Sequence, residues 1–142
     1  MIVLDAYAVL AYLRDERAAE AVGDLLGTPT RLTAVNATEV LDQLVRVYGR
    51  DADDVHADLF MLVHTGMELA QVSAEVGLLA GRLRARHYLR ERMAVSLADC
   101  VAAAAALSTG SPLATADPPL ARLTRAEGGE IHPLPDTAGR LP

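Results

Sequence analysis

The sequence predicts an α/β fold: a three-layer α/β/α sandwich around a mostly parallel sheet of four to five strands. Three observations predict it. Short continuous apolar runs recur along the chain, as strands buried on both faces do. Stretches with helical hydrophobic spacing separate those runs. The chain of 142 residues contains no linker, internal repeat or low-complexity segment apart from the alanine run 102–106. Its length suits one domain that buries its own core. That domain is expected over 1–135, with 136–142 as a loose C-terminal tail.

The first strand is expected at Ile2-Val3-Leu4, with Asp5 placed to cap a helix over Ala6–Leu13. A second helix is expected from Arg17 to Leu26, stopped by Gly27-Thr28-Pro29. Arg31 to Val35 reads as the second strand. Asn36 to Tyr48 reads as a helix with Val40, Leu41, Leu44, Val45 and Tyr48 on one face. Asp51 is set to cap a further helix through about His64. Glu68 to Val72 is a weak third strand, and Ser73 to about His87 an amphipathic helix. Ser96 opens an alanine-rich helix to Leu107, ending near Gly110. Pro112 to Thr115 is a fourth strand, broken by Asp117-Pro118-Pro119. Ile131 to Leu134 is an edge strand, where proline is tolerated.

Composition narrows the chemistry. Hydrophobic residues make up 51% and aromatic ones 4%, so the core is aliphatic. No apolar run approaches the ~18–20 residues of a membrane span. The start meets an acid too early for a signal peptide, so the expected location is cytoplasmic. A single cysteine, Cys100, excludes an internal disulfide and a thiolate zinc site; it is read as core filler. All thirteen basic residues are arginine. The absence of lysine removes Walker-type phosphate loops, Schiff-base chemistry and receiver-domain chemistry. The net charge of −6 argues against tight non-specific nucleic-acid binding. Grouped acids that hold a divalent ion soften that objection. So does the clustering of five arginines between positions 82 and 92.

Four acids stand out. Each has a sufficient structural role: Asp5 as a helix cap, Glu39 and Asp99 as capping-box partners of Asn36 and Ser96, and Asp117 as a turn initiator. Together they form a pattern. Asp5, Glu39 and Asp117 lie at or just beyond carboxyl ends of expected strands, where open parallel sheets bind ligands. Asp99 lies in the first turn of a helix. Carboxylates brought together repel unless cations fill the space between them. An all-oxygen set without Cys or His points to Mg²⁺ or Mn²⁺, and such sites serve phosphoryl transfer. A haloacid-dehalogenase-type phosphatase needs a second Asp where Tyr7 stands. A dinucleotide-binding domain needs a glycine-rich turn that is absent.

The segments Val3-Leu4-Asp5-Ala6, Ala34-Val35-Asn36-x-x-Glu39-Val40, Ser96-Leu97-Ala98-Asp99 and Leu113-Ala114-Thr115-Ala116-Asp117 resemble PIN domains. More narrowly, they resemble VapC-type toxins of bacterial toxin–antitoxin pairs. The resemblance covers nearly the whole chain. It implies Mg²⁺- or Mn²⁺-dependent endonucleolytic cleavage of RNA, with transfer RNA the common target. It implies a homodimer and a cognate antitoxin. By position, Asp5, Glu39, Asp99 and Asp117 match the acidic quartet. Asp5, Asp99 and Asp117 are expected to hold one or two ions, with Glu39 acting directly or through water. Thr115 matches a hydroxyl beside the metal, and Asn36 is a helper or a cap. Tyr7 and the double proline after Asp117 depart from the family pattern. Arg82, Arg86 and Arg90 are expected to hold the RNA backbone, with a solvated helix face as the alternative. The competing reading of the whole chain is a catalytically silent PIN-like binding module.

Overall fold

The computed structural model describes residues 1–142. Five strands form one sheet in the order β3-β2-β1-β4-β5, every pair parallel. They are β1 (Ile2–Leu4), β2 (Thr30–Thr33), β3 (Glu68–Ala70), β4 (Leu113–Thr115) and β5 (Ile131–Pro133). Seven helices connect them: α1 (Ala6–Leu13), α2 (Ala19–Leu26), α3 (Ala34–Asp42), α4 (Ala52–His64), α5 (Ala74–His87), α6 (Leu97–Thr109) and α7 (Pro118–Ala126). None of them is long and apolar enough to cross a membrane.

The period-two alternation of the strands builds the three layers. Leu4, Leu32 and Ala114 face a core formed with α1, α2, α3 and α4. Val3 and Leu113 face the opposite core, formed with α5, α6 and α7. Both faces of the central strands are therefore dry. The alanine run explains itself here: Ala102, Ala103, Ala104 and Ala106 are all buried, and small side chains let α6 lie close against the sheet. Cys100 is buried among them, with its thiol pushed up to about 11 by burial and then by the Asp99 charge. It fills the core, as expected.

Edge strands carry the polar compromises. β5 ends in Pro133 at one edge of the sheet. β3 forms the other edge, where Glu68 pairs with Arg31 of β2 directly across the ladder, Nη2 to Oε2 at 2.8 Å.

The structure corrects the expected boundaries at two places. Val35 belongs to the first turn of α3 and not to β2, because Thr33 caps the helix and accepts from Asn36 N. The helix read through Tyr48 changes at Gln43–Val47 into a π-helical turn, the wider coil that often lies near functional sites. The sequence reading also lacked α7. Asp117-Pro118-Pro119 does end β4, but it starts a helix at the same point. Proline suits the first helical turn, where an N–H has no acceptor and φ is already set.

Candidate active site

The sheet order places β1 at the centre, with β2 on one side and β4 on the other. The connections leaving β1 and β4 diverge, and the crevice between them is where parallel sheets bind ligands. Asp5 follows β1 and Asp117 lies two residues beyond β4, so both border that crevice.

Helix N-termini hold three of the four acids in place, each by one oxygen. Asp5 caps α1 by accepting from Ala8 N at 2.8 Å, and it is only 2% exposed. Asp117 caps α7 by accepting from Leu120 N through Oδ2 at 3.1 Å. Asp99 closes a capping box with Ser96: its Oδ2 accepts from Ser96 N at 2.7 Å, and Asp99 N donates to Ser96 Oγ at 3.0 Å. The positive end of each helix offsets part of the cost of the negative charge. Glu39 lies in the second turn of α3, where Oε1 accepts from Gln43 Nε2 at 3.3 Å. It is not a capping partner of Asn36, because the cap of that helix is Thr33.

Asn36 has a different task from the cap considered for it. Fully buried, it takes a hydrogen bond from Thr33 Oγ1 at 2.6 Å and donates through Nδ2 to Ala98 O at 3.1 Å. It thereby ties α3, which carries Glu39, to the first turn of α6, which carries Asp99. Asn36→Ala removes both bonds and leaves the buried Thr33 hydroxyl without its acceptor. It is expected to cost about 1–3 kcal/mol in urea unfolding. A loss below ~0.5 kcal/mol, the scale of a surface substitution, would show that the tie is dispensable.

The Asp99 charge reaches the other three carboxylates. Burial raises Asp5 from 3.8 to about 7; Thr115 and Ala8 N oppose the rise, while the Asp99 and Asp117 charges add to it. Burial also raises Glu39, with Asp99 the next cause. Burial raises Asp117; the Leu120 N–H opposes it, Asp99 adds to it and Arg122 opposes it. Asp99 acts on all three and is the carboxylate they share. The Thr115 hydroxyl, fully buried, sits between Asp5 and the backbone N–H of Asp117, from which its oxygen accepts at 3.0 Å.

These residues suit a hard divalent cation by donor type: carboxylates and one hydroxyl, with no thiolate or imidazole. A polar orphan supports the fit. Glu39 Oε2 is buried and has no hydrogen-bond partner in the protein, a costly arrangement unless a ligand completes it. With each acid turned toward its own N–H donor, no three side chains converge as a ready ligand set. A cation among carboxylates offsets the repulsion that they otherwise carry.

A PIN-domain profile matches residues 2–126. The chain belongs to the PIN-domain family. No curated relative matches it by sequence. Among solved structures it resembles VapC20 of Mycobacterium tuberculosis, a Sarcin-Ricin loop cleaving toxin, with a TM-score of 0.69 at 18% identity over 86% of this chain and 94% of that one. It resembles VapBC2 of Rickettsia felis bound to a promoter DNA fragment, with a TM-score of 0.68 at 15% identity over 93% and 98%. FitAcB of Neisseria gonorrhoeae gives 0.67 at 19% identity over 92% and 96%. At these identities the likeness is one of fold. It agrees with the five-stranded parallel sheet flanked by helices, and the PIN domain here spans nearly the whole of each neighbour.

The arginines fall out differently from the sequence reading. α5 ends at His87 and Tyr88 is extended, so Arg86 and Arg90 do not share a helical face. Arg86 is committed to Glu127, with Nη1 at 2.7 Å from Oε1. Arg82 and Arg90 are exposed and have no carboxylate partner among the ion pairs. Arg122, on the helix the double proline concealed, is the basic residue whose charge reaches Asp117. The signal for it is an Asp-Pro-Pro helix start followed by apolar residues at Leu120, Ala121 and Leu123. An apolar groove between α3 and α4, lined by Leu41, Leu59, Phe60 and Val63, contains none of the four acids.

Proposed function

We propose that this PIN domain is a metal-dependent endoribonuclease acting as the toxin of a toxin–antitoxin pair. The observation that carries the reading is the placement of four acids from separate chain segments about one end of a parallel sheet, with Glu39 Oε2 buried and unpartnered. Buried, mutually repelling acids work against stability, and their raised pKa values support reading this end of the sheet as the functional site. The fold neighbours support the biological setting, since several are toxin–antitoxin structures.

Asp5, Asp99 and Asp117 would hold Mg²⁺ or Mn²⁺, as one or two ions, with Glu39 close by. When bound, such an ion makes water a better nucleophile and stabilises charge on the phosphate. The chain's own residues supply the rest. Thr115 orients Asp5 and fixes the backbone before Asp117. Glu39 has a raised pKa and a free oxygen, and it accepts the proton of the attacking water at Oε2. Asn36 keeps Glu39 and Asp99 in register. An antitoxin and a second copy of the chain complete the proposed assembly, and the setting is the cytoplasm.

Purified protein incubated with total cellular RNA and Mn²⁺ is expected to give discrete fragments, and EDTA to abolish them. Absence of cleavage together with absence of Mn²⁺ binding by calorimetry would sink the nuclease reading. It would leave a catalytically silent binding module.

A further inference from the structure

The distribution of free arginines points to where a polyanion would sit. Six of the thirteen arginines are neutralised by carboxylates: Arg14, Arg31, Arg46, Arg50, Arg86 and Arg140. Of the seven without such a partner, all but Arg17 lie on α5, on the loop from Tyr88 to Val95, or on α7. On a chain of net charge −6, that concentration leaves one surface positive where the rest is balanced or acidic.

The loop is built, not slack. Leu89 and Met93 close it as an antiparallel bridge, with Met93 N donating to Leu89 O at 2.7 Å and Leu89 N to Met93 O at 3.2 Å. Arg84 pins its far end by donating through Nε to Val95 O at 3.1 Å, next to the cap of the Asp99 helix, while its guanidinium lies over the Tyr88 ring. Arg122 pins the near side, with Nη2 donating to Arg92 O at 3.1 Å. The loop therefore holds the exposed Arg90 and Arg92 between Arg84, bonded one residue before the Ser96 cap, and Arg122, whose charge reaches Asp117. Glu91 is the loop's only acid.

We propose that Arg122, together with Arg90 and Arg92 on the pinned loop, forms a phosphate-binding rim that seats the RNA backbone against Asp117 and Asp99. The inference rests on the nuclease reading and adds the surface that makes an acidic nuclease able to approach RNA. Arg122 spends one of its five N–H donors on the Arg92 carbonyl and keeps an edge for a bidentate phosphate contact. With few aromatics on this surface, the contact is to backbone and not to stacked bases.

The test measures binding of a fluorescent RNA hairpin in EDTA, so that no cleavage intervenes, over a series of salt concentrations. Arg122→Gln, Arg92→Gln and Arg90→Gln are compared with Arg50→Gln, which removes the same charge from the α4 side of the sheet. Arg92→Gln leaves the backbone carbonyl that Arg122 holds, so it separates charge loss from loop release. Each rim variant is expected to weaken binding about tenfold and to reduce the salt slope by about one. Arg50→Gln is expected to change neither. Wild type that cleaves RNA with Mn²⁺, combined with rim variants that bind like Arg50→Gln, overturns the rim and leaves the nuclease reading intact. Rim variants that lose RNA affinity in a chain that neither cleaves RNA nor binds Mn²⁺ support the rim and overturn the nuclease reading. Unchanged RNA affinity with lost binding of poly-glutamate overturns the rim in favour of an acidic protein segment.

Discussion

Asp99→Asn is expected to lower RNA cleavage by on the order of a hundredfold or more, the scale on which one well-placed electrostatic group acts. The fold is expected to survive the change. The amide oxygen of asparagine still accepts from Ser96 N, so the capping box loses charge but keeps its geometry. Asp99 is also the one acid that raises Asp5, Glu39 and Asp117 together. Its neutralisation relieves all three. The variant is therefore expected to unfold at a urea concentration no lower than wild type in the absence of metal, even as activity disappears. Loss of activity accompanied by a collapse in stability would mean that Asp99 is a cap and nothing more. Cleavage that persists in Asp99→Asn would mean that the site lies elsewhere.

Asp5→Asn is expected to stabilise the metal-free protein at pH 8. In the folded chain Asp5 keeps its proton up to about pH 7, whereas the unfolded chain releases it near 3.8. Between those values the folded state binds more protons than the unfolded one, so stability falls as pH rises through that window. The displacement corresponds to at most about 4 kcal/mol. Asparagine has no charge to bury and remains a good helix cap, so it recovers part of that loss. The measurement is urea unfolding in EDTA at pH 4 and pH 8. Wild type is expected to be less stable at pH 8, with a smaller slope in Asp5→Asn, where Glu39 and Asp117, also raised by burial, keep a residual fall. Added Mg²⁺ is expected to raise the pH 8 stability of wild type but not of the variant, because ligand binding stabilises only the form that binds it. A flat wild-type profile would mean that Asp5 is ionised without penalty and that the site is more open than its burial indicates.

Much of this architecture was legible before any coordinates. Ile2-Val3-Leu4 reads as a buried strand because it is one, apolar on both faces, and the acid that ends it caps the next helix in sequence and in space. Ser96-x-x-Asp99 reads as a capping box because such boxes are local. The same reasoning misplaced the start of α3. Thr33 and Asn36 both cap helices well, and only the burial of Asn36 against α6 shows which one does so here. Asp117-Pro118-Pro119 reads as a break because prolines end strands; that they also begin helices hid α7 and, with it, Arg122. The pairing of arginines was illegible for a further reason. Arg86 and Glu127 are 41 residues apart in the chain, and nothing local announces that one cancels the other. Charge counted along a sequence says how many arginines exist, not how many are free.

The parallel ladder also governs the order in which the molecule can acquire its activity. β1 pairs through Val3 with Leu113, a partner 110 positions further along. Contacts of such sequence separation form slowly, since a long loop must close before they are rewarded. The crevice between β1 and β4 cannot exist until that late pairing is made, and Asp117 arrives two residues after it. Asp5 and Asp117 therefore come together only after the chain has been made past β4. On the ribonuclease reading proposed above, the topology delays activity until nearly all of the domain has been made.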